Sequence, residues 1–262
     1  MKLGVNSVLF KPFSIMEAMQ AIKRAGFDGV ELSAIKGMCE HLDLDNWNIE
    51  EVKAAQAETG LELLAMEVAS LDEDRLTLAF KAAKELGVPV VNVGPGGKLG
   101  VEEDVIASIE TLTARAKLAA EYGVTLCCKA HVGCAIYNTP TTLRAMDAIK
   151  EESFGVDMDP SHIWRAGENP AEALPQVVSR VKHVHIRDCK GPGPNPGLPA
   201  MQACGRGDID LVGYFKALVD VKYEGPVDLE VIGPDLTLPE AQAVASESFG
   251  YMNACLKQLG AR

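Results

Sequence analysis

A chain of 262 residues, 47% hydrophobic and 24% charged, is long enough to bury a sizeable core and has no compositional sign of disorder. Its formal net charge of −12, with no local Lys/Arg cluster to offset it, opposes a phosphate backbone, so nucleic acid is not expected as a partner. No apolar run approaches the ~18 residues of a membrane span, the opening segment lacks the length of a secretory core, and seven cysteines without zinc or redox spacing read as reduced thiols; a cytoplasmic protein with no membrane partner is expected.

Taken in chain order, KLGVNS (2–7) reads as a strand, followed by SIMEAMQAIKRAG (14–26), where Ile15, Ala18, Met19 and Ile22 repeat at helical spacing and Gly26 can end the helix. Strand-like DGVELS (28–33), LELLAMEV (61–68) and VPVVNVG (88–94) come next, then a long helical stretch over 101–123 that closes on Gly123. VTLCCKAH (124–131) and SFGVDMD (153–159) read as further strands. NPAEALPQVV (169–178) starts a helix with Asn169 as cap and Pro170 in its first turn, and leads into the strand VKHVHIRD (181–188). The Pro- and Gly-rich connection 189–207 has the length of a lid or binding loop. A helix over 208–225, the strand PVDLEVIG (226–233) and a helix over 238–260 complete the set.

Strict strand–helix alternation argues for a parallel sheet. Eight such units leave no room for a second domain, so residues 1–262 are expected to form one α/β domain, a (β/α)8 barrel, with a doubly wound open sheet as the alternative. A barrel carries its chemistry at the C-terminal ends of its strands. Those ends hold Asn6, Glu31, Glu67, Gly94 with Pro95, Lys129 with His131, Asp159 with His162, His185 with Arg187 and Asp188, and Glu230.

Within HVHIRD, the residues His183, His185 and Arg187 alternate onto one face. His185 is expected to point inward near the mouth, and His183 to lie deeper as a satisfied core histidine. Glu230 is in phase with Asp228, and a glutamate in an apolar strand is costly unless paired or functional. Glu31 and Glu67 read either as site residues or as salt-bridged rim residues. Carboxylates and imidazoles on adjacent strand ends suit holding a divalent metal, or moving a proton next to a carbonyl.

GFDGVEL, VNVGPG, DMDPSHI, HVHIRD, GRGDID and DLEVIG, in this order and spacing, make the whole chain resemble the sugar phosphate isomerase/epimerase family, the xylose isomerase-like TIM barrels. The resemblance implies a small sugar or keto substrate, free or phosphorylated, and a homo-oligomer. It implies four ligands for Mn²⁺ or Mg²⁺ after strands five to eight, of which Asp159, His185 and Glu230 match the last three, and it makes His162 a substrate-binding histidine. Two glutamates would flank the substrate as acid and base.

Where the family's first ligand glutamate should stand, this chain has Lys129, in Lys129-Ala130-His131. A glutamate plus a divalent ion contributes the same net charge as one lysine. Three arrangements stay open: a metal-free pocket in which Lys129 pairs with Asp159 or Glu230; a displaced Lys129, with His131 or water completing a weakly held ion; and a surface-facing Lys129.

Three activities follow. In an isomerase or epimerase, Glu230 takes the proton and Lys129, His162 or His185 stabilises the enolate, with His131, Glu67, Arg187 and Glu31 at the substrate. In a lyase or aldolase, Lys129 forms a Schiff base. The third is a sugar-binding protein without turnover.

Overall fold

In the computed structural model, which describes residues 1–262, eight parallel strands pair in chain order: β1 (Lys2–Asn6), β2 (Gly29–Ile35), β3 (Glu62–Glu67), β4 (Val90–Val93), β5 (Thr125–Lys129), β6 (Phe154–Asp157), β7 (Val181–Ile186) and β8 (Pro226–Leu229). β8 pairs with β1, through Gly4 opposite Asp228 among others, so the sheet closes and the open-sheet alternative is excluded. The result is a (β/α)8 TIM barrel. Its helices are α1 (Ile15–Ala25), α2 (Ile49–Thr59), α3 (Glu73–Leu86), α4 (Glu102–Tyr122), α5 (Thr139–Ala148), α6 (Pro160–Arg165), α7 (Pro170–Val177), α8 (Pro199–Gln202), α9 (Leu211–Asp220) and α10 (Leu238–Gln258). None is long and apolar enough to cross a membrane.

Strand periodicity sorts the side chains. Leu3, Val5, Val30, Leu32, Val184, Ile186, Val227 and Leu229 are fully buried in the apolar cluster shared with the helices. The opposite set, including Asn6, Glu31, Asp157, His183, His185 and Asp228, is equally buried but polar. A barrel lumen filled with ionisable groups is stable only when each has a partner.

Several strands end earlier than their sequence runs suggest: β7 stops at Ile186 and β8 at Leu229, although the Glu230 N–H still donates to the Ile186 carbonyl at 3.1 Å. Asp188 accepts at Oδ1 from the backbone N–H groups of Cys189 (2.9 Å) and Ile209 (3.1 Å), and at Oδ2 from Gly205 (3.0 Å). It therefore staples both ends of the 189–207 connection instead of entering the pocket. Gln202 in α8 fastens the same connection to the end of β8, donating to the Ile232 carbonyl at 2.6 Å. One strand was not anticipated: after a turn with Gly37 at φ 77°, Cys39–Glu40 pairs antiparallel with Ala34–Ile35.

Gly4 shows how tightly the lumen is filled. A Cβ there would stand 1.7 Å from Asp228 Oδ1. Since Asp228 receives the Nε2–H of His183 at 2.7 Å, it is not free to move aside. Gly4→Ala is expected to cost at least ~1–3 kcal/mol through overpacking, read as a lower midpoint in urea denaturation; an unchanged midpoint would contradict this packing.

Candidate active site

The lumen is built in layers. Lowest is His183, with Nδ1 3.0 Å from Asp157 Oδ1 and Nε2 2.7 Å from Asp228 Oδ2. Burial disfavours its charged form, but Glu31, Asp157 and Asp228 outweigh that and push its pKa up to about 10. It is an imidazolium donating on both sides, a core histidine with both nitrogens engaged.

Above it, His185 Nε2 hydrogen-bonds Glu31 Oε2. Glu31 also accepts from Asn6 Nδ2 (2.8 Å) and Asn92 Nδ2 (2.6 Å), and it is completely buried. Burial would raise the Glu31 carboxyl, yet the charge of His183 and the hydrogen bond from His185 hold it below its ordinary value. Glu31 is thus neither a rim salt bridge nor a wall of the cavity; it braces His185 from beneath. At the other ring nitrogen, His185 Nδ1 lies 2.6 Å from Asp157 Oδ2 and 3.1 Å from Lys129 Nζ. Burial and the Lys129 ammonium oppose a second proton on this ring, toward which Asp157 and Glu31 pull it. Asp157 Oδ2 has no aligned donor while the ammonium at Nδ1 needs an acceptor, so the ring is the Nε2–H tautomer, accepting at Nδ1.

Lys129 forms the floor of the cavity. Its Nζ donates to Glu230 Oε1 (2.9 Å), His185 Nδ1 (3.1 Å) and Glu67 Oε1 (3.3 Å), so its three N–H bonds meet three acceptors. Burial favours the neutral amine, but the Glu230 and Glu67 carboxylates reverse this and keep Lys129 an ammonium. It is neither surface-facing nor displaced, and its partners are Glu230 and Glu67 rather than Asp159. The two glutamates differ. Burial raises both, but Glu230 also sits 3.0 Å from Arg187 Nη1, and Lys129 with Arg187 holds its carboxyl well below the usual range. Glu67, bonded to Asn6 Nδ2 at 2.6 Å, feels burial and the Glu230 charge more than it feels Lys129, and its pKa is pushed up to about 7.

Across the cavity, Arg187 donates to Ser161 Oγ (2.9 Å) and to His162 Nε2 (2.9 Å). Burial and Arg187 together push the His162 pKa well down, so this ring is neutral. His131 stacks on it with ring centroids 4.2 Å apart.

Glu67, Lys129, His131, His162, Arg187 and Glu230 line one cavity of about 370 Å³, with Ile35, Met38 and Ile232 as its apolar lining. Of the other site residues expected from sequence, His185 lies directly beneath, Glu31 deeper still, and Asp159 to one side. Asp159 Oδ1 accepts from the Ser161 N–H at 2.7 Å as the N-cap of α6, while Oδ2 approaches Arg187 Nη2 at 3.5 Å. The bracing asparagines were missed as site residues. A polar Asn92 in the apolar run VPVVNVG was the available clue.

A divalent metal does not fit these residues. Ligand atoms of Glu67, His185 and Glu230 lie within 4.8 Å of one another, but Lys129 Nζ already bonds all three. An ammonium and a divalent ion ~4 Å apart would repel by roughly 8 kcal/mol at an effective dielectric of ~20. Asp159, turned to its helix cap, is absent from that convergent group.

Residues 19–255 match the family model of the xylose isomerase-like TIM barrel. Among curated proteins, the chain is 32% identical over 138 residues to an inosose dehydratase of Clostridium perfringens, a match covering 47% of this chain and 46% of that protein. The chain thus matches about half the length of the curated relatives of that name. Among solved structures, it superposes on a D-allulose 3-epimerase from Methylomonas sp. with a TM-score of 0.79 at 16% identity, covering 98% of each chain. It also superposes on a 3-keto-D-glucoside 4-epimerase from E. coli with a TM-score of 0.77 at 23% identity, covering 97% of this chain and 100% of that one.

The raised Glu67 carboxyl has a consequence for stability. With a folded pKa of about 7 against an ordinary 4.5, the folded chain keeps a proton that the unfolded chain has lost, so this group's contribution to stability falls as pH rises through that window. Between pH 5 and pH 8 the wild type should lose on the order of 2–3 kcal/mol more stability than Glu67→Gln, measured by urea denaturation. Equal losses would contradict the assignment.

Proposed function

The chain belongs to the xylose isomerase-like TIM barrel family, and on that premise we propose that it is an enzyme acting on a small sugar or keto-sugar by moving a proton next to the carbonyl, as an isomerase or epimerase does. The observation that carries this reading is that Glu67 and Lys129 meet in the wall of one cavity: a carboxyl poised near neutrality, 3.3 Å from an ammonium.

Glu67 is the general base. Its carboxylate takes the α-proton, the C–H electron pair moves into the carbonyl, and the oxygen becomes an enolate. Glu67 loses its charge in that step, so its hold on Lys129 weakens and one ammonium N–H turns to the new oxyanion. Negative charge leaves one acceptor of Lys129 as it appears on another, which is how a fixed cation stabilises a transition state without extra reorganisation. Glu230, held down in pKa by Lys129 and Arg187, is the weaker base and serves as the anion that fixes both cations. His131, engaged at Nδ1 by the Val132 carbonyl, offers its Nε2 to a substrate hydroxyl, while His162, engaged at both nitrogens, presents its ring to the cavity. The proton then returns to the opposite face or to the neighbouring carbon.

Two features favour this reading over its rivals. An imine requires a neutral amine, and Lys129 is kept protonated by two carboxylates. The relatives' names cover epimerisation and dehydration, both of which can begin with loss of a proton next to a carbonyl.

The test is solvent exchange in deuterium oxide over a panel of ketoses and polyhydroxylated cyclic ketones. Wild type should place deuterium at the carbon next to the carbonyl, and Glu67→Gln should slow that exchange by ~10²–10⁴-fold. No exchange with intact ligand binding would overturn the proposal in favour of a binding protein. A borohydride-trapped adduct on Lys129 would overturn it in favour of imine chemistry.

A further inference from the structure

We infer that the Lys129 ammonium stands in for a carboxylate-bound divalent cation, so that the wild-type site works without metal and the single change Lys129→Glu converts it into a metal site. The catalytic half of this statement rests on the proton-transfer reading; the metal-binding half stands on geometry alone.

The geometry is one of convergence. Oxygen and nitrogen donors from β3, β7 and the end of β8, carried by Glu67, His185 and Glu230, approach within 4.8 Å of one another, and two carboxylates beside an imidazole favour a cation where they meet. Nζ of Lys129 is there, at 3.3, 3.1 and 2.9 Å from the three. It reaches that point from β5, in register with Asp157 of β6, and the residue is only 4% exposed. Two carboxylates and one imidazole are the donor set that borderline and hard divalent ions accept. A fourth donor is missing only because the side chain on β5 is a cation.

The charge count agrees. An ammonium contributes +1, and so does a carboxylate together with a divalent ion. Exchanging one for the other leaves Glu31, Asp157 and Arg187 in an unchanged net field. Removing Lys129 without adding a metal would instead leave Glu67 and Glu230 facing each other, the configuration that drives cation uptake.

The test compares wild type, Lys129→Glu and Lys129→Met after chelator treatment and desalting, titrated with Mn²⁺ and read by calorimetry and by loss of the free-ion electron paramagnetic resonance signal. Lys129→Glu should take up one Mn²⁺ per chain, roughly 10²-fold or more tighter than wild type, the direction set when a positive group leaves and a negative one enters. Lys129→Met should fall between them. If Lys129→Glu is poorly folded without metal, Mn²⁺ should raise its Tm by mass action while leaving that of wild type unmoved. Wild-type deuterium exchange should be unchanged by EDTA.

Equal Mn²⁺ affinity for wild type and Lys129→Glu, or a Lys129→Glu variant whose Tm and calorimetry do not respond to Mn²⁺, would overturn the inference. So would loss of wild-type exchange on chelation. Absence of exchange in every condition would sink the proton-transfer reading while leaving the Mn²⁺ comparison decisive for the metal site.

Discussion

The Lys129 ammonium lies inside a parallel barrel, 4% exposed, in hydrogen-bond contact with Glu230, Glu67 and His185. A charge so far from water costs several kcal/mol unless its field is answered at close range. That requirement organises the lumen around it. The carboxylates that answer Lys129 are themselves buried and need further partners: Arg187 for Glu230 and Asn6 for Glu67. His185 in turn needs Glu31, and Glu31 needs Asn6 and Asn92. The chain of obligations ends at His183, between Asp157 and Asp228, where Gly4 supplies the space for Asp228.

Such a network divides labour between two chemically identical side chains. Glu67 and Glu230 touch the same ammonium and the same cavity, yet a second cation beside Glu230 and an amide beside Glu67 separate their proton affinities. Arg187 is therefore more than a wall of the cavity. By clamping Glu230 and holding His162 neutral, it leaves Glu67 as the carboxyl able to exchange a proton near neutral pH.

Much of this was legible in the sequence, because strand ends and side-chain parity follow from periodicity. HVHIRD places His183, His185 and Arg187 on the lumen side, and the structure keeps them there. Lys129 stood out against its acidic surroundings. What periodicity does not carry is which polar neighbour claims a given group. Asp159 shares the parity of Asp157, but the Pro160 turn gives its oxygen to the α6 N-cap, a local bond that wins over a distant site. Glu31 reads from sequence either as a site residue or as a rim residue, and it is neither because β2 runs on to Ile35, which puts Glu31 well below the mouth. The inequality of Glu67 and Glu230 depends on contacts 61 and 43 residues apart in the chain, to Asn6 and Arg187, which only the closed barrel creates.

The central claim is that the cation of this site is a side chain. Crystals of the wild type grown with manganese, with anomalous diffraction collected at the manganese edge, address it directly. The expected map has Lys129 Nζ bonded to Glu67, His185 and Glu230, and no anomalous density at their point of convergence. A manganese peak there, with the lysine turned away, would contradict the claim.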